Sequence, residues 1–218
     1  VDGHLRFNQS GFRKNRSVDE QQATLAHIIS SVKRLKDENY SLIINFLDFA
    51  KAFPSTSWTA IRGAMQAMHV PEELTSAVMA IYSENLRAYV KCPGFSTSTF
   101  PIHVGTLQGD VLAPYLFVLV VDRVLATAMA DLHTRYPQEQ FGILLRHSTG
   151  TDRTGRVPAM RLTDLAFADD IALITLTQSL ETSRLSAQKL LSAVAAVSAR
   201  ANLKMKAGEA KTAILIYG

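Results

Sequence analysis

Asp169 and Asp170 stand side by side within Leu165-Ala-Phe-Ala-Asp-Asp-Ile-Ala-Leu-Ile174, a stretch that is otherwise apolar. An ionised carboxylate pressed among apolar neighbours loses much of its solvation, and adjacent carboxylates repel, so the pair needs protons or bound cations as compensation. The plainer alternative is a turn whose carboxylates accept hydrogen bonds from nearby backbone N–H groups. A third carboxylate, Asp48, ends the apolar run Ile43-Ile-Asn-Phe-Leu47. If that run is a strand lying beside the Asp169-Asp170 turn, three carboxylates converge. Such a set suits two Mg²⁺ ions that must also keep positions open for substrate phosphates.

The elements that must position these residues can be read from periodicity. Residues 159–166 and 171–176 have the length and composition of short strands, which puts the two aspartates at the tight turn of a β-hairpin. Residues 42–47 read as a buried strand delivering Asp48 at its carboxyl end. Ser17-Val-Asp-Glu20 is a capping box, followed by Leu25, Ile28, Ile29, Val32 and Leu35 at helical spacing, with Asn39 and Tyr40 ending the helix. Ser57 caps a helix with Trp58, Ile61 and Met65 on one face, and Pro71 opens another with Leu74, Val78 and Ile81 inward. Residues 88–91 and 100–104 flank a polar stretch and predict a hairpin. The turn Gly105-Thr-Leu-Gln-Gly-Asp110 leads into an apolar helix over 112–132, and residues 142–145 form a further strand. Residues 147–156 read as a mobile polar loop. Ser179 starts a helix whose face carries Ala187, Leu190, Leu191, Val194 and Val197, closed by Asn202 in a left-handed conformation. Helices mixed with non-adjacent strands, without repeats or low-complexity tracts, indicate an α+β fold.

The chain has 218 residues, 47% of them hydrophobic, which is enough for one large domain or two joined lobes. Its 23 Lys and Arg against 19 Asp and Glu make it mildly basic, permitting a polyanionic partner. A single cysteine, Cys92, excludes an internal disulfide framework, and the His and Cys residues show no zinc spacing. No signal peptide is evident, and the apolar run 111–121 is too short for a bilayer and contains Pro114. The expectation is a soluble intracellular protein, in cytoplasm or nucleus, with no membrane partner. Because Val1 replaces an initiator Met, the chain reads as a piece of a longer polypeptide.

Four segments, in order, resemble the reverse transcriptase family, particularly the polymerases of non-LTR retrotransposons. Gln9-Ser-Gly-Phe-Arg13 is similar to the family's Gln-x-Gly-Phe-Arg block, and Leu47-Asp-Phe-Ala-Lys-Ala-Phe53 to its first catalytic motif. Gly105-Thr-Leu-Gln-Gly-Asp110 resembles the Gln-Gly-Asp motif, and Phe167-Ala-Asp-Asp170 the aromatic-x-Asp-Asp box. The resemblance implies a right-hand polymerase core of fingers and palm, with an antiparallel palm sheet backed by helices. It implies RNA-templated DNA synthesis by two-metal nucleotidyl transfer, with Mg²⁺ or Mn²⁺ as cofactor and an RNA template, a DNA primer and dNTPs as partners. Asp48 and Asp169 would be the principal metal ligands and Asp170 a supporting one. Phe49 would present its backbone N–H to the triphosphate, and Phe53 would bar a ribose 2′-hydroxyl. Gln108 and Gly109 would meet nucleotide or template, and Arg13, Lys14 and Arg16 would grip template phosphates. Lys211, in Ala210-Lys-Thr212, matches the late Lys-Thr motif whose lysine can protonate pyrophosphate.

The chain departs from the family pattern at Pro54, Leu107, Val111 and Ala113, and its segment 203–211 is longer than the common form. The upstream fingers segment and the thumb have no counterpart in these residues, so they read as a partial core joined to remaining domains of a longer polypeptide. Two rivals stay open: an RNA-dependent RNA polymerase, which ordinarily has glycine at the place of Ala168 and a polar residue at that of Phe53, and a catalytically silent nucleic-acid-binding relic.

Overall fold

The computed structural model describes residues 5–34, 40–107, 109–146, 159–206 and 214–217. In chain order the elements begin with α1 (Val18–Arg34), β1 (Ser41–Leu47), β2 (Phe49–Ala50), α2 (Ala52–Ser55), α3 (Trp58–Ala67) and α4 (Glu72–Ile81). Four two-residue strands follow, β3 (Arg87–Ala88), β4 (Lys91–Cys92), β5 (Phe95–Ser96) and β6 (Phe100–Pro101), then α5 (Ala113–Arg135). The remainder is β7 (Ile143–Arg146), β8 (Ala159–Leu162), β9 (Asp164–Phe167), β10 (Asp170–Thr177), α6 (Leu180–Arg200), β11 (Lys204–Met205) and β12 (Ile214–Tyr217).

The central sheet is antiparallel, in the order β12-β1-β10-β9. Side chains alternate between its faces, and here both faces are covered. Leu47, Ile171 and Leu173 join α5 and α6 in the main core, whereas Leu42, Ile44, Ala172 and Ile174 pack with Ile28 and Val32 of α1. This two-sided burial is why β1 and β10 read as continuous apolar runs. Helix α5 is enclosed on nearly every side, from Leu116 through Val121 to Leu132, so it is apolar all round rather than along one stripe.

Most of the expected elements form as predicted. Ser17 Oγ accepts from Glu20 N–H at 3.2 Å, Ser57 from Ala60 and Ser179 from Thr182, and Asn202 is left-handed at φ 61°. The hairpin over 88–104 is present as two short ladders, β3 with β6 and β4 with β5. Three expectations change. Leu74 and Ile81 are exposed at 54% and 43%, and of the three residues expected inward α4 buries Val78 alone, with Thr75 beside it. Pro71 is the N-cap of α4 rather than its first residue. The strand expected over 159–166 breaks at Thr163: β8 pairs with β7 while β9 pairs with β10, and Thr163 O accepts from Ile174 N–H at 2.8 Å. Leu35, Asn39 and the polar loop 147–156 lie outside the described residues.

The segment before α1 is strapped across the sheet edge. Gln9 bridges to Ala166 in parallel, Ser10 N–H donates to Ala166 O at 2.8 Å and Ala166 N–H to Asn8 O at 2.9 Å. An ionic knot anchors this strap. Arg6 Nε donates to Asp122 Oδ1 at 2.8 Å, and its Nη1 and Nη2 reach the Asp164 carboxylate at 3.0 and 3.1 Å. Asp122 and Asp164 are 1% and 0% exposed. Burial opposes the charge on Arg6, but Asp164 and then Asp122 outweigh it and raise the guanidinium pKa above its ordinary value. Asp122 shifts upward as well, because its burial exceeds the pull of Arg6 and Asp164 adds repulsion.

Removing the arginine head leaves two buried carboxylates without their cation. Arg6→Met should therefore lower the unfolding free energy by about 3 kcal/mol, read as a reduced denaturant midpoint with an unchanged slope. An equally stable variant would show that the knot adds nothing to the strap.

Candidate functional site

The register of β1 against β10 brings the carboxylates together. Leu47 pairs with Ile171, so the next step of the ladder sets Asp48 across from Asp170. Phe167 pairs with Asp170, which leaves residues 168–169 as a two-residue turn. Asp169 thus occupies the turn, and Asp170 opens β10. Burial, then Asp169, then Asp48 push the Asp170 carboxyl above the ordinary carboxylate range. That order of causes describes a partly desolvated cluster of like charges, the environment that attracts a cation.

The turn is strained and gripped. Ala168 has φ 56°, a conformation that a residue with a β-carbon avoids. Gln9, fully buried, accepts at Oε1 from Ala168 N–H at 3.1 Å and from Gly11 N–H at 2.8 Å. A β-carbon on Gly11 would lie 2.3 Å from Ala168 N, so only glycine permits this approach. The Gln9-x-Gly11 pattern therefore serves the Asp169 turn directly, a role that sequence reading left unassigned.

Asp48 has a close partner. Lys206 Nζ lies 2.7 Å from Asp48 Oδ2, and Lys206 N–H donates to Asp48 O at 2.9 Å. Among the described residues, no three His, Cys, Asp or Glu side chains are gathered into a ready metal cage. The donor set still fits a hard divalent cation, since it offers carboxylate oxygens and no soft ligand. Lys206 went unrecognised because lysine at that spacing reads as an ordinary strand-end charge. Lys211, singled out in its place, lies outside the described residues, as does Gln108.

Around the carboxylates the chain is sutured by backbone bonds. Lys51 turns the chain with φ 49°, and Thr106 N–H donates to Phe53 O at 2.9 Å. Gly105 N–H donates to Thr56 O at 2.9 Å and Gly105 O accepts from Trp58 Nε1 at 2.9 Å, while a β-carbon on Gly105 would sit 2.5 Å from Pro54 O. Phe53 is half-buried, its ring stacked on Phe117 with centroids 4.4 Å apart. Phe49 is buried in the core and pairs with Met205 of β11. Gly109 is exposed with φ 92° and open space where a side chain would stand.

The basic cluster divides. Arg13 Nη1 donates to Arg6 O and Gln9 O at 2.9 and 2.8 Å, which stiffens the strap. Arg16 pairs with Glu20 at 2.6 Å and lies over the Phe7 ring. Lys14 is exposed. Beside the hairpin, a groove of about 220 Å³ runs between α1 and β9–β10, lined by Val18, Gln21, Leu25, Phe167, Asp170 and Ala172.

Comparison with known proteins gives the family and supports the fold. The family model described as reverse transcriptase (RNA-dependent DNA polymerase) matches residues 2–216. A retrovirus-related Pol polyprotein from a type-1 retrotransposable element R2 of Popillia japonica is 32% identical over 156 residues, covering 69% of this chain and 22% of that protein. The corresponding polyprotein from the type-2 element R2DM of Drosophila melanogaster is 33% identical over 108 residues, covering 49% of the chain and 10% of its own length. The chain thus spans about a fifth of the length of the first relative. Among solved structures, apo telomerase from Candida tropicalis, truncated from its C-terminal domain, aligns with TM-score 0.61 at 11% identity over 96% of this chain and 36% of that one. Telomerase from Candida albicans in complex with a fragment of telomeric RNA gives 0.62 at 10% identity, over 91% and 30%. At such identities the structural likeness speaks for the fold. The fold, the order of the motifs and the match over nearly its whole length place this chain in the reverse transcriptase (RNA-dependent DNA polymerase) family.

Proposed function

We propose that this chain is the palm and adjoining fingers of an RNA-templated DNA polymerase encoded by a non-LTR retrotransposon, acting within a longer polypeptide. The observation that carries the reading is the Leu47 to Ile171 register, which brings Asp48 to the Asp169-Asp170 turn. Asp48 and Asp169 would hold two Mg²⁺ ions, with Asp170 in support. When bound, such ions make a primer 3′-hydroxyl more acidic and neutralise the charge of a leaving pyrophosphate.

The chain's own residues supply position. The strap of Gln9 and Gly11 keeps the Asp169 turn in its strained conformation, so the backbone that carries its carboxylate would hold its place when cations arrive. Phe53, braced on Phe117, offers a rigid ring next to the carboxylate strand, suited to excluding a 2′-hydroxyl. The Phe49 backbone would face the triphosphate, and the open backbone at Gly109, with Gln108 beside it, would admit template or nucleotide. Lys14 is the exposed cation of the strap region and the best placed to meet template phosphate. Arg13 and Arg16 would support it by shaping that surface, and Lys211 would serve as proton donor to pyrophosphate.

Two experiments on the full-length polypeptide test this reading. Asp169→Asn should abolish primer extension on an RNA template while leaving the melting temperature within a few degrees of wild type. Retained extension would remove the carboxylates from the reaction. Phe53→Val should raise the ribo- to deoxynucleotide ratio of kcat/KM by roughly 10-fold or more, since only a gate changes that ratio. An unchanged ratio in a folded variant would reduce Phe53 to a core residue and favour the RNA polymerase alternative.

A further inference from the structure

Lys206 is the feature of the site that the family motifs do not explain. Its place is dictated twice. Pairing of Met205 with Phe49, and the bond from Lys206 N–H to Asp48 O at 2.9 Å, fix the backbone of Lys206 beside Asp48. The side chain then closes on Asp48 Oδ2 at 2.7 Å, with both side chains only about one-third exposed. A surface lysine on a flexible stem has many conformations to choose from, and registering its backbone on the same residue removes much of that freedom. The contact therefore belongs to the β2–β11 ladder as much as to the two charges.

We propose that Lys206 is the resident counter-cation of the carboxylate cluster, exchanging with divalent metal at Asp48: the ammonium holds the carboxylate when no ion is present and leaves it when one binds. The inference rests on the metal reading of the site given above. The register sets Asp48 across from Asp170, beside Asp169 in the turn, so like charges repel across the site. A single positive charge on Asp48 relieves part of that repulsion. It cannot stay in place as an ion binds the same carboxylate, because the two cations would repel across a few ångströms. Metal loading thus couples to displacement of Lys206 from Asp48. The released ammonium remains tethered by the Lys206 backbone at the edge of the cluster. Lys206 is on this account a positioning residue, acting through Asp48.

The exchange is measured without turnover. Mn²⁺ binding to the chain is followed by electron paramagnetic resonance for wild type, Lys206→Met, Lys206→Arg and Asp48→Asn. Partly exposed ion pairs are weak, so removing this competitor should tighten Mn²⁺ binding by roughly two- to five-fold in Lys206→Met. Lys206→Arg should bind no more tightly than wild type, and Asp48→Asn should lose the site. A second measurement needs no variant: reductive methylation of wild type, mapped by peptide mass spectrometry, should modify Lys206 faster when Mg²⁺ is added. Asp48-dependent Mn²⁺ binding that is equal or weaker in a folded Lys206→Met variant, or methylation of Lys206 indifferent to Mg²⁺, overturns the exchange alone. Absence of any Asp48-dependent Mn²⁺ binding overturns the metal reading and the exchange together.

Discussion

Like charges crowded at a two-residue turn would spread apart unless the turn were gripped, and the grip comes from outside the hairpin. Gln9 Oε1 accepts from Ala168 N–H, while Gly11 comes so close that a single added carbon would collide with the Ala168 backbone. Ala168 pays for its left-handed backbone with this hydrogen bond. Behind the grip stands the knot of Arg6 with Asp122 and Asp164, which fastens the strap to α5 and β9 together. Buried ion pairs are poor sources of net stability, but they punish the wrong arrangement severely. Here the knot joins the strap to one helix and one strand of the aspartate hairpin, so its value lies in placement.

The same logic of fixed placement governs the other side of the site. The segment after Asp48 is bound to the segment before α5 through Thr106 to Phe53 and Gly105 to Thr56, with Trp58 closing on Gly105 O. Phe53 gains its orientation from Phe117 near the N-terminal end of α5, the helix that also carries Asp122. One buried helix thus braces both the aromatic ring beside the site and the strap that holds the aspartate turn. A substitution that shifts α5 should disturb the two together, because packed interiors transmit small displacements rather than absorbing them.

Electrostatics then separate what is rigid from what must change. The backbone positions of Asp48, Asp169 and Asp170 follow from strand pairing and do not depend on charge. Their side chains feel it: Lys206 Nζ lies on Asp48 Oδ2, and burial with the charges of Asp169 and Asp48 raises the Asp170 carboxyl. A site of this kind has a fixed backbone frame and carboxylates that answer to nearby charge.

By itself the sequence determined the element types and the identity of the carboxylates. The apolar runs of β1 and β10, the capping residues Ser17, Ser57 and Ser179 and the left-handed Asn202 are local signals, written within a few residues of where they act. The Asp-Asp pair was legible because a charge in an apolar run has no local excuse. Tertiary structure decided the rest, because its causes lie far apart along the chain. Arg6 meets Asp122 and Asp164 across separations of 116 and 158 residues, and Gln9 meets Ala168 across 159. Arg13, read as a phosphate ligand, also ties backbone carbonyls of its own strap, and Leu74 looked like core and is exposed. Lys206 could not be told from any surface lysine until β11 paired with β2, since only that register sets an ammonium on Asp48.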